Sequence, residues 1–225
     1  YIVRGDLNGS YRLASPRVFL DGPYDTGAGS MRDDLRVAGA LPSTEPYTAL
    51  GFAQAGDGGG ETVAPTVLAV TGNDAIVDWV RVELRAAGNA ATVVATRQAL
   101  LQRDGDIVST DGTSAVRFDA PSGNYFLAVR HRNHNGVMTL NTITLGNTTT
   151  TVDFTGTALA NYGSNSQKTI GAVRLLWAGN SNGNGDVKYT GGENDRDPIL
   201  LTVGSTTPNA SVSGYTRADV NLDGV

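Results

Sequence analysis

The stretch Ile76-Val77-Asp78-Trp79-Val80-Arg81-Val82-Glu83-Leu84-Arg85 decides the fold class. Its even positions Ile76, Val80, Val82 and Leu84 are apolar, with Asp78 the one interruption, while the odd positions end in Arg81, Glu83 and Arg85. Successive side chains leave a pleated backbone on opposite faces, so this alternation predicts a half-buried strand. Residues 92–101 repeat the pattern with Val93, Ala95, Ala99 and Leu101 on one side. Val116 with Phe118, and Tyr125 with Leu127 and Val129, predict two more strands joined by the turn-forming Pro121-Ser122-Gly123. Weaker strand signals lie in 17–20, 66–70, 137–143 and 151–155. Turn clusters separate them: Asp21-Gly22-Pro23, residues 56–60, Asp104-Gly105-Asp106 and Asp111-Gly112. Short strands at this spacing predict a mainly β chain built as an antiparallel β-sandwich, of Ig-like or jelly-roll type.

Composition agrees. Of 225 residues, 40% are hydrophobic and 17% charged, enough to pack a core and too apolar for wholesale disorder. The net charge of −5 gives no basic face for nucleic acid or an anionic membrane surface. No apolar run approaches the roughly 18 residues of a membrane span. The absence of cysteine removes disulfides, thiolate metal sites and a cysteine nucleophile together. An extracellular version would then need another brace, such as bound calcium. A start at Tyr1, with neither an initiator methionine nor a signal-like segment, is expected of a processed product.

The character of the chain changes near residue 160, dividing it into an expected β-sandwich domain, 1–160, and a small module, 161–225. Polar residues 161–167 suit a linker. Beyond them Asn180-Ser181-Asn182-Gly183-Asn184-Gly185-Asp186-Val187 is echoed by Asp219-Val220-Asn221-Leu222-Asp223-Gly224-Val225. Both place a side-chain oxygen at positions 1, 3 and 5 and glycine at 6, a repeat with a period near 39 residues whose second copy stops at Val225. A hard cation asks for this arrangement. Calcium takes about six to eight oxygens, alternate residues of a tight loop point theirs inward, and glycine permits the sharp turn. The expected ligands are Asn180, Asn182, Asn184 and Asp186 in the first loop and Asp219, Asn221 and Asp223 in the second. Gly191 holds position 12, where a bidentate acid is wanted, so the loop is expected to enlarge and return Asp195. Asp197-Pro198-Ile199-Leu200-Leu201 then predicts a helix with Asp197 as N-cap and proline at N1.

These segments carry a resemblance. Leu176-Trp177-Ala178-Gly179-Asn180, Asp186-Val187-Lys188-Tyr189-Thr190-Gly191 and Asn194-Asp195-Arg196-Asp197-Pro198-Ile199-Leu200 are similar to the dockerin-type calcium repeats (EF-hand-like) at the C-termini of secreted bacterial surface proteins. Asn180 and Asn184 stand where such repeats often carry aspartate. In the body, Val77-Asp78-Trp79-Val80, Leu100-Leu101-Gln102-Arg103-Asp104-Gly105-Asp106 and the run from Val129 to Met138 resemble the same group. The resemblance implies secretion to the extracellular space or cell surface and a modular β architecture, with no activity attached.

Other residues have plainer readings. His131 and His134 lack a nearby third ligand and stand among Arg130 and Arg132, so a loop bonding its own backbone is preferred to zinc. Asp104, Asp106 and Asp111 suit turns better than a third cage. No Gly-x-Ser-x-Gly elbow or singled-out carboxylate pair supports catalysis, and no enzyme is expected. Trp79 offers a sugar-stacking platform or, the preferred reading, a ring packed into the second sheet. Trp177 is expected to pack the tail onto the body. Arg4-Gly5-Asp6, and the glycosylation sequons at Asn8, Asn147 and Asn209, are too short to discriminate.

Two functions follow. The first is a non-catalytic extracellular structural subunit, polymerising head to tail with copies of itself through Tyr1-Ile2-Val3 and the β-prone 148–154 segment, and stabilised by calcium. The second is a carbohydrate- or protein-binding accessory module of a secreted hydrolase or adhesin, in which a surface glycan is the partner.

Overall fold

A computed structural model describes residues 11–207 and 209–225, so Tyr1-Ile2-Val3, Arg4-Gly5-Asp6 and Asn8 lie outside the described residues. The chain is mainly β. In order the strands are β1 (Tyr11–Arg17), β2 (Tyr24–Asp25), β3 (Ser30–Met31), β4 (Ile76–Ala86), β5 (Asn89–Gln102), β6 (Ile107–Val108), β7 (Val116–Asp119), β8 (Gly123–Arg130), β9 (Val137–Met138), β10 (Ile143–Leu145), β11 (Thr150–Asp153), β12 (Lys168–Ile170) and β13 (Val173–Leu175). Among the described residues the α-helices are short: α1 (Asp34–Val37) and α2 (Pro65–Leu68) lie between β3 and β4, and α3 (Arg196–Val203) follows β13.

The larger sheet runs β10-β8-β4-β5-β6, with β9 also on β8, and all its pairings are antiparallel. Its centre is the hairpin β4–β5, in which Ala86 pairs with Asn89 across a two-residue turn. A register shift falls immediately before Asp78; such a bulge re-aims the residue that follows it. The smaller sheet runs β11-β1-β7. There β1 pairs with β7 antiparallel and with β11 in parallel, a departure from the wholly antiparallel expectation that the long connection between β1 and β11 makes possible. One apolar cluster takes residues from both sheets: Val80, Val82, Leu84, Ala99, Leu101, Leu127 and Val129 from the larger, and Ala14, Val116, Phe118 and Val152 from the smaller.

The charged side of β4 is not the solvent face its alternation predicts. Arg81 and Glu83 are 3% and 1% exposed. The loop between α1 and α2 covers them: Arg81 donates to Gln54 Oε1 (2.9 Å) and Ala53 O (2.5 Å). Glu83 bridges Arg81 (2.7 Å) and Arg85 (2.5 Å). Burial opposes the Glu83 charge, but the two guanidiniums win and hold its carboxyl below the usual range. Trp79 lies under the same loop, 1% exposed, its Nε1–H donated to Pro42 O (2.9 Å). It is a core ring, which removes it as a sugar platform.

Two weaker strand signals resolve differently. The 66–70 segment begins as helix α2, because Pro65 at the first helical position fixes φ and has no N–H to offer a ladder. The 137–143 segment splits, β9 ending at Met138 and β10 starting at Ile143.

Beyond residue 160 the chain returns to the body. Leu140 N–H donates to Ala160 O (2.9 Å) and Gln167 Nε2 to Phe154 O (3.1 Å). β12 and β13 then form a hairpin that delivers Leu175 and Leu176, both fully buried, to the common core. Leu176 N–H donates to Phe19 O (2.7 Å) and Leu176 O accepts from Asp21 N–H (3.0 Å). Among the described residues no helix is long and apolar enough to cross a membrane.

Candidate metal site

The two polar loops close in the same way. In the first, Asn180 Oδ1 accepts from Gly185 N–H (3.5 Å), Asn182 Oδ1 from Asn184 N–H (2.9 Å), and Asn184 Oδ1 from Asp186 N–H (2.9 Å). In the second, Asp219 Oδ2 accepts from Gly224 N–H (2.9 Å) and Asp223 Oδ1 from Val225 N–H (2.9 Å). Position 1 thus bonds position 6, and position 5 bonds position 7, in both copies. Gly185 and Gly224 have φ of +96° and +86°, a region closed to most side chains, which is why glycine holds position 6 twice.

Asp195 reaches back to the first loop. Its Oδ1 accepts from Asn182 N–H (3.2 Å) and its Oδ2 from Lys188 N–H (2.8 Å), while Ser181 donates to its carbonyl (2.6 Å). The structure therefore brings Asn180, Asn182, Asn184 and Asp195 to one loop. Asp186 differs: its side chain is exposed and pairs with Lys188 (3.3 Å). Asp219, Asn221 and Asp223 form the second group, with the Asn221 amide donating to Asp223 Oδ2 (2.7 Å). Helix α3 starts two residues earlier than expected, at Arg196, so Asp195 and not Asp197 stands at the N-cap; its side chain makes no capping bond, and Asn194 Oδ1, one residue before it, accepts from Asp197 N–H (3.0 Å).

These donors fit a hard cation. Asp195 and Asp219 are each 4% exposed, and among the described residues neither has a cationic group within salt-bridge distance. Backbone N–H groups at hydrogen-bond distance are what both carboxylates bond: Asn182 and Lys188 for Asp195, Asp223 and Gly224 for Asp219. Burial pushes the Asp219 carboxyl above its ordinary range, although Gly224 N–H and Arg132 pull the other way. Among the described residues no three His, Cys, Asp or Glu side chains converge, so any ion here would be met mainly by amide oxygens.

The second loop sits on a buried polar hub that sequence reasoning missed. Asp78, fully buried, accepts four hydrogen bonds: from His131 Nε2 (3.1 Å) and Arg132 Nε (3.0 Å) at Oδ2, and from Tyr215 O–H (2.6 Å) and Trp79 N–H (2.7 Å) at Oδ1. Desolvation alone would raise its pKa, but Arg132, His131 and Tyr215 hold the carboxyl well below the usual carboxylate range. Gly22 N–H donates to His134 Nε2 (3.1 Å), which leaves the His134 proton on Nδ1. That proton faces Asn133 Oδ1 (2.9 Å) and His131 Nδ1 (3.1 Å), so His131 carries its own proton on Nε2, toward Asp78. Burial lowers both imidazole pKa values, which favours the neutral form that this bonding pattern uses. The expectation that these histidines merely bond their own loop is corrected: they join β4, residue 22 and the 131–134 turn.

The same turn grips the tail. Asn133 Nδ2 donates to Asp219 O (2.6 Å) and Arg217 O (3.2 Å), Arg217 Nε donates to Arg132 O (3.0 Å), and Arg132 reaches Thr216 O. Arg132 also lies 4.1 Å over the Tyr215 ring. Gly22 lies so close to Val220 O that a Cβ there would collide with it. The remaining aspartates make turns: Asp104 accepts from Asp106 N–H (3.2 Å), Asp106 pairs with Arg17 (2.5 Å), and Asp111 accepts from Ser114 N–H (2.9 Å). Compared with known protein families, curated proteins and solved structures, the chain matches none.

Proposed function

We propose that this chain is a non-catalytic structural module of a bacterial extracellular or cell-surface assembly. In this reading it is an antiparallel sandwich with a dockerin-like calcium repeat, joined head to tail to copies of itself. The observation that carries the reading is the loop geometry adopted twice, 39 residues apart, around buried carboxylates that lack a cation. Asn180, Asn182, Asn184 and Asp195 would hold one ion, and Asp219, Asn221 and Asp223 the other. The ion supplies charge compensation and closes each loop. Support for polymerisation comes from β11, whose Thr150-Thr151-Val152-Asp153 stands at the end of its sheet's strand order, the place from which strand addition proceeds. Support for a non-catalytic role comes from Asp78, His131 and His134, each committed to a neighbour in the interior.

The test is a thermal melt across a calcium titration. At ~100 times Kd, a single site adds about 2.7 kcal/mol. Expected are a Tm that keeps climbing with the logarithm of calcium concentration once calcium exceeds Kd, its reversal by chelator, and a shift to larger species in sedimentation velocity. A Tm that calcium and chelator leave unmoved refutes the metal reading. Monomers at all calcium and protein concentrations refute the polymer.

A further inference from the structure

A cleft of about 570 Å³ opens beside the first loop, formed by residues 135–136, 164–166 and 185–187 around Trp177. Its size falls within the roughly 300–1,000 Å³ of small-ligand sites. Trp177 is partly exposed there, and its position is fixed at both ends: indole Nε1–H donates to Asn165 O (3.0 Å) and its carbonyl accepts from Asn135 N–H (2.8 Å). With its one polar atom satisfied, the ring offers rigid apolar surface at little entropic cost.

The rest of the lining selects a ligand class. Asn135 and Asn165 contribute amides, Ser164 and Ser166 hydroxyls, Asp186 a carboxylate, and Val187 is the one aliphatic side chain. Among the described residues no lysine or arginine lines the cleft, which disfavours phosphate, sulfate or carboxylate ligands. One aromatic and one valine are too little for a lipid tail. Asn135 Oδ1 is screened from solvent and has no hydrogen-bond partner, so rotating that amide toward a ligand donor breaks no bond. An aromatic surface lined by amide and hydroxyl side chains matches a pyranose, whose C–H face stacks while its rim hydroxyls pair with amides and serines. We infer that this cleft binds a short, uncharged saccharide stacked on Trp177. The assignment stands independently of calcium and of polymerisation.

Fluorescence isolates the residue, because the second tryptophan, Trp79, is 1% exposed and shielded from a collisional quencher. Maltotriose, cellotriose, mannotriose and N-acetylchitotriose are titrated with acrylamide quenching and calorimetry as readouts, and 3′-sialyllactose is the charged control. At least one neutral trisaccharide should bind with millimolar or tighter Kd and protect Trp177 from acrylamide. Trp177→Ala should weaken that binding at least tenfold, and Asn135→Ala and Ser166→Ala several-fold. If Trp177→Ala melts early, protection in the native protein decides. Failure of all four neutral sugars to bind below 10 mM, preference for the sialylated sugar, or binding unchanged in a folded Trp177→Ala variant overturns the inference.

Discussion

Asp78→Asn is the most revealing single change, because it keeps the shape and removes only charge and one acceptor oxygen. The native carboxylate, fully buried, takes four donors between 2.6 and 3.1 Å. An amide keeps one oxygen, so either the His131 and Arg132 pair or the Tyr215 and Trp79 pair meets an N–H₂ instead. Arg132, 1% exposed, loses its counter-charge in either case. Breaking a buried ion pair by removing one partner costs about 3–5 kcal/mol, a large share of the ~5–15 kcal/mol that holds a domain folded. With a urea m-value of about 2–3 kcal/mol/M, the midpoint should fall by roughly 1–2 M. Tyr215→Phe, which deletes one donor and no charge, should cost only about 1 kcal/mol. Asp78→Asn with Arg132→Met should recover part of the loss, since an apolar pair leaves no orphaned charge. The pH profile adds a second reading. The folded Asp78 pKa lies below the unfolded value of ~3.9, so its contribution is full above that value and is lost as pH falls through the folded one. A wild-type-like midpoint for Asp78→Asn, at unchanged m, would refute the hub as a source of stability.

The histidines act in a higher window. Their folded pKa values are lowered, so unfolded chains bind protons first, and stability should fall as pH drops below ~6.5, by up to about 1.4 kcal/mol per pH unit per ring; urea midpoints at pH 8 and 5 that coincide would contradict this. Asn133→Ala orphans the Asp219 and Arg217 carbonyls and should cost about 2–3 kcal/mol, with the 209–225 segment cut by protease before the body unfolds. Asp219→Asn should work in opposite directions. In chelator it relieves a buried charge whose pKa is raised and so raises Tm, while in calcium it weakens binding at least tenfold and lowers Tm relative to native. A loss of Tm in chelator would show that the carboxylate stabilises the apo loop by itself.

What the sequence makes legible is what is local. β7 alternates buried and exposed, and in β4, β5 and β8 most of the apolar positions that the two-residue period picks out reach the one core, because that period needs no knowledge of what lies opposite. β1 breaks that rule: Arg12, Ala14 and Pro16 are its buried positions while Leu13 is only half-buried, so its hydrophobic pattern points the wrong way. The charged face of β4 misleads for a different reason. Arg81, Glu83 and Arg85 neutralise one another at a two-residue spacing, and that spacing is the signal that a charged face can be covered. The loops at 180 and 219 were legible in outline because the bonds that fold each turn lie within six residues.

The hub lies at the other extreme. Residues 22, 78, 131–134 and 215–219 come together only when β4, β8 and the tail are in place. Asp78 was visible as an acid interrupting an apolar face, and an acid there demands a buried cation. Which of the chain's 17 basic residues answers is a matter of topology, because β8 pairs with β4 up to Arg130 opposite Arg81 and so releases Arg132 at the same end of the sheet. The turn that supplies Arg132 also supplies Asn133, and Asn133 holds the Asp219 carbonyl at the first position of the second loop. The proposed closing of that loop around an ion and the holding of the tail against the body therefore draw on the same few bonds, so on that proposal calcium affinity and tail docking should rise and fall together in any variant of the 131–134 turn.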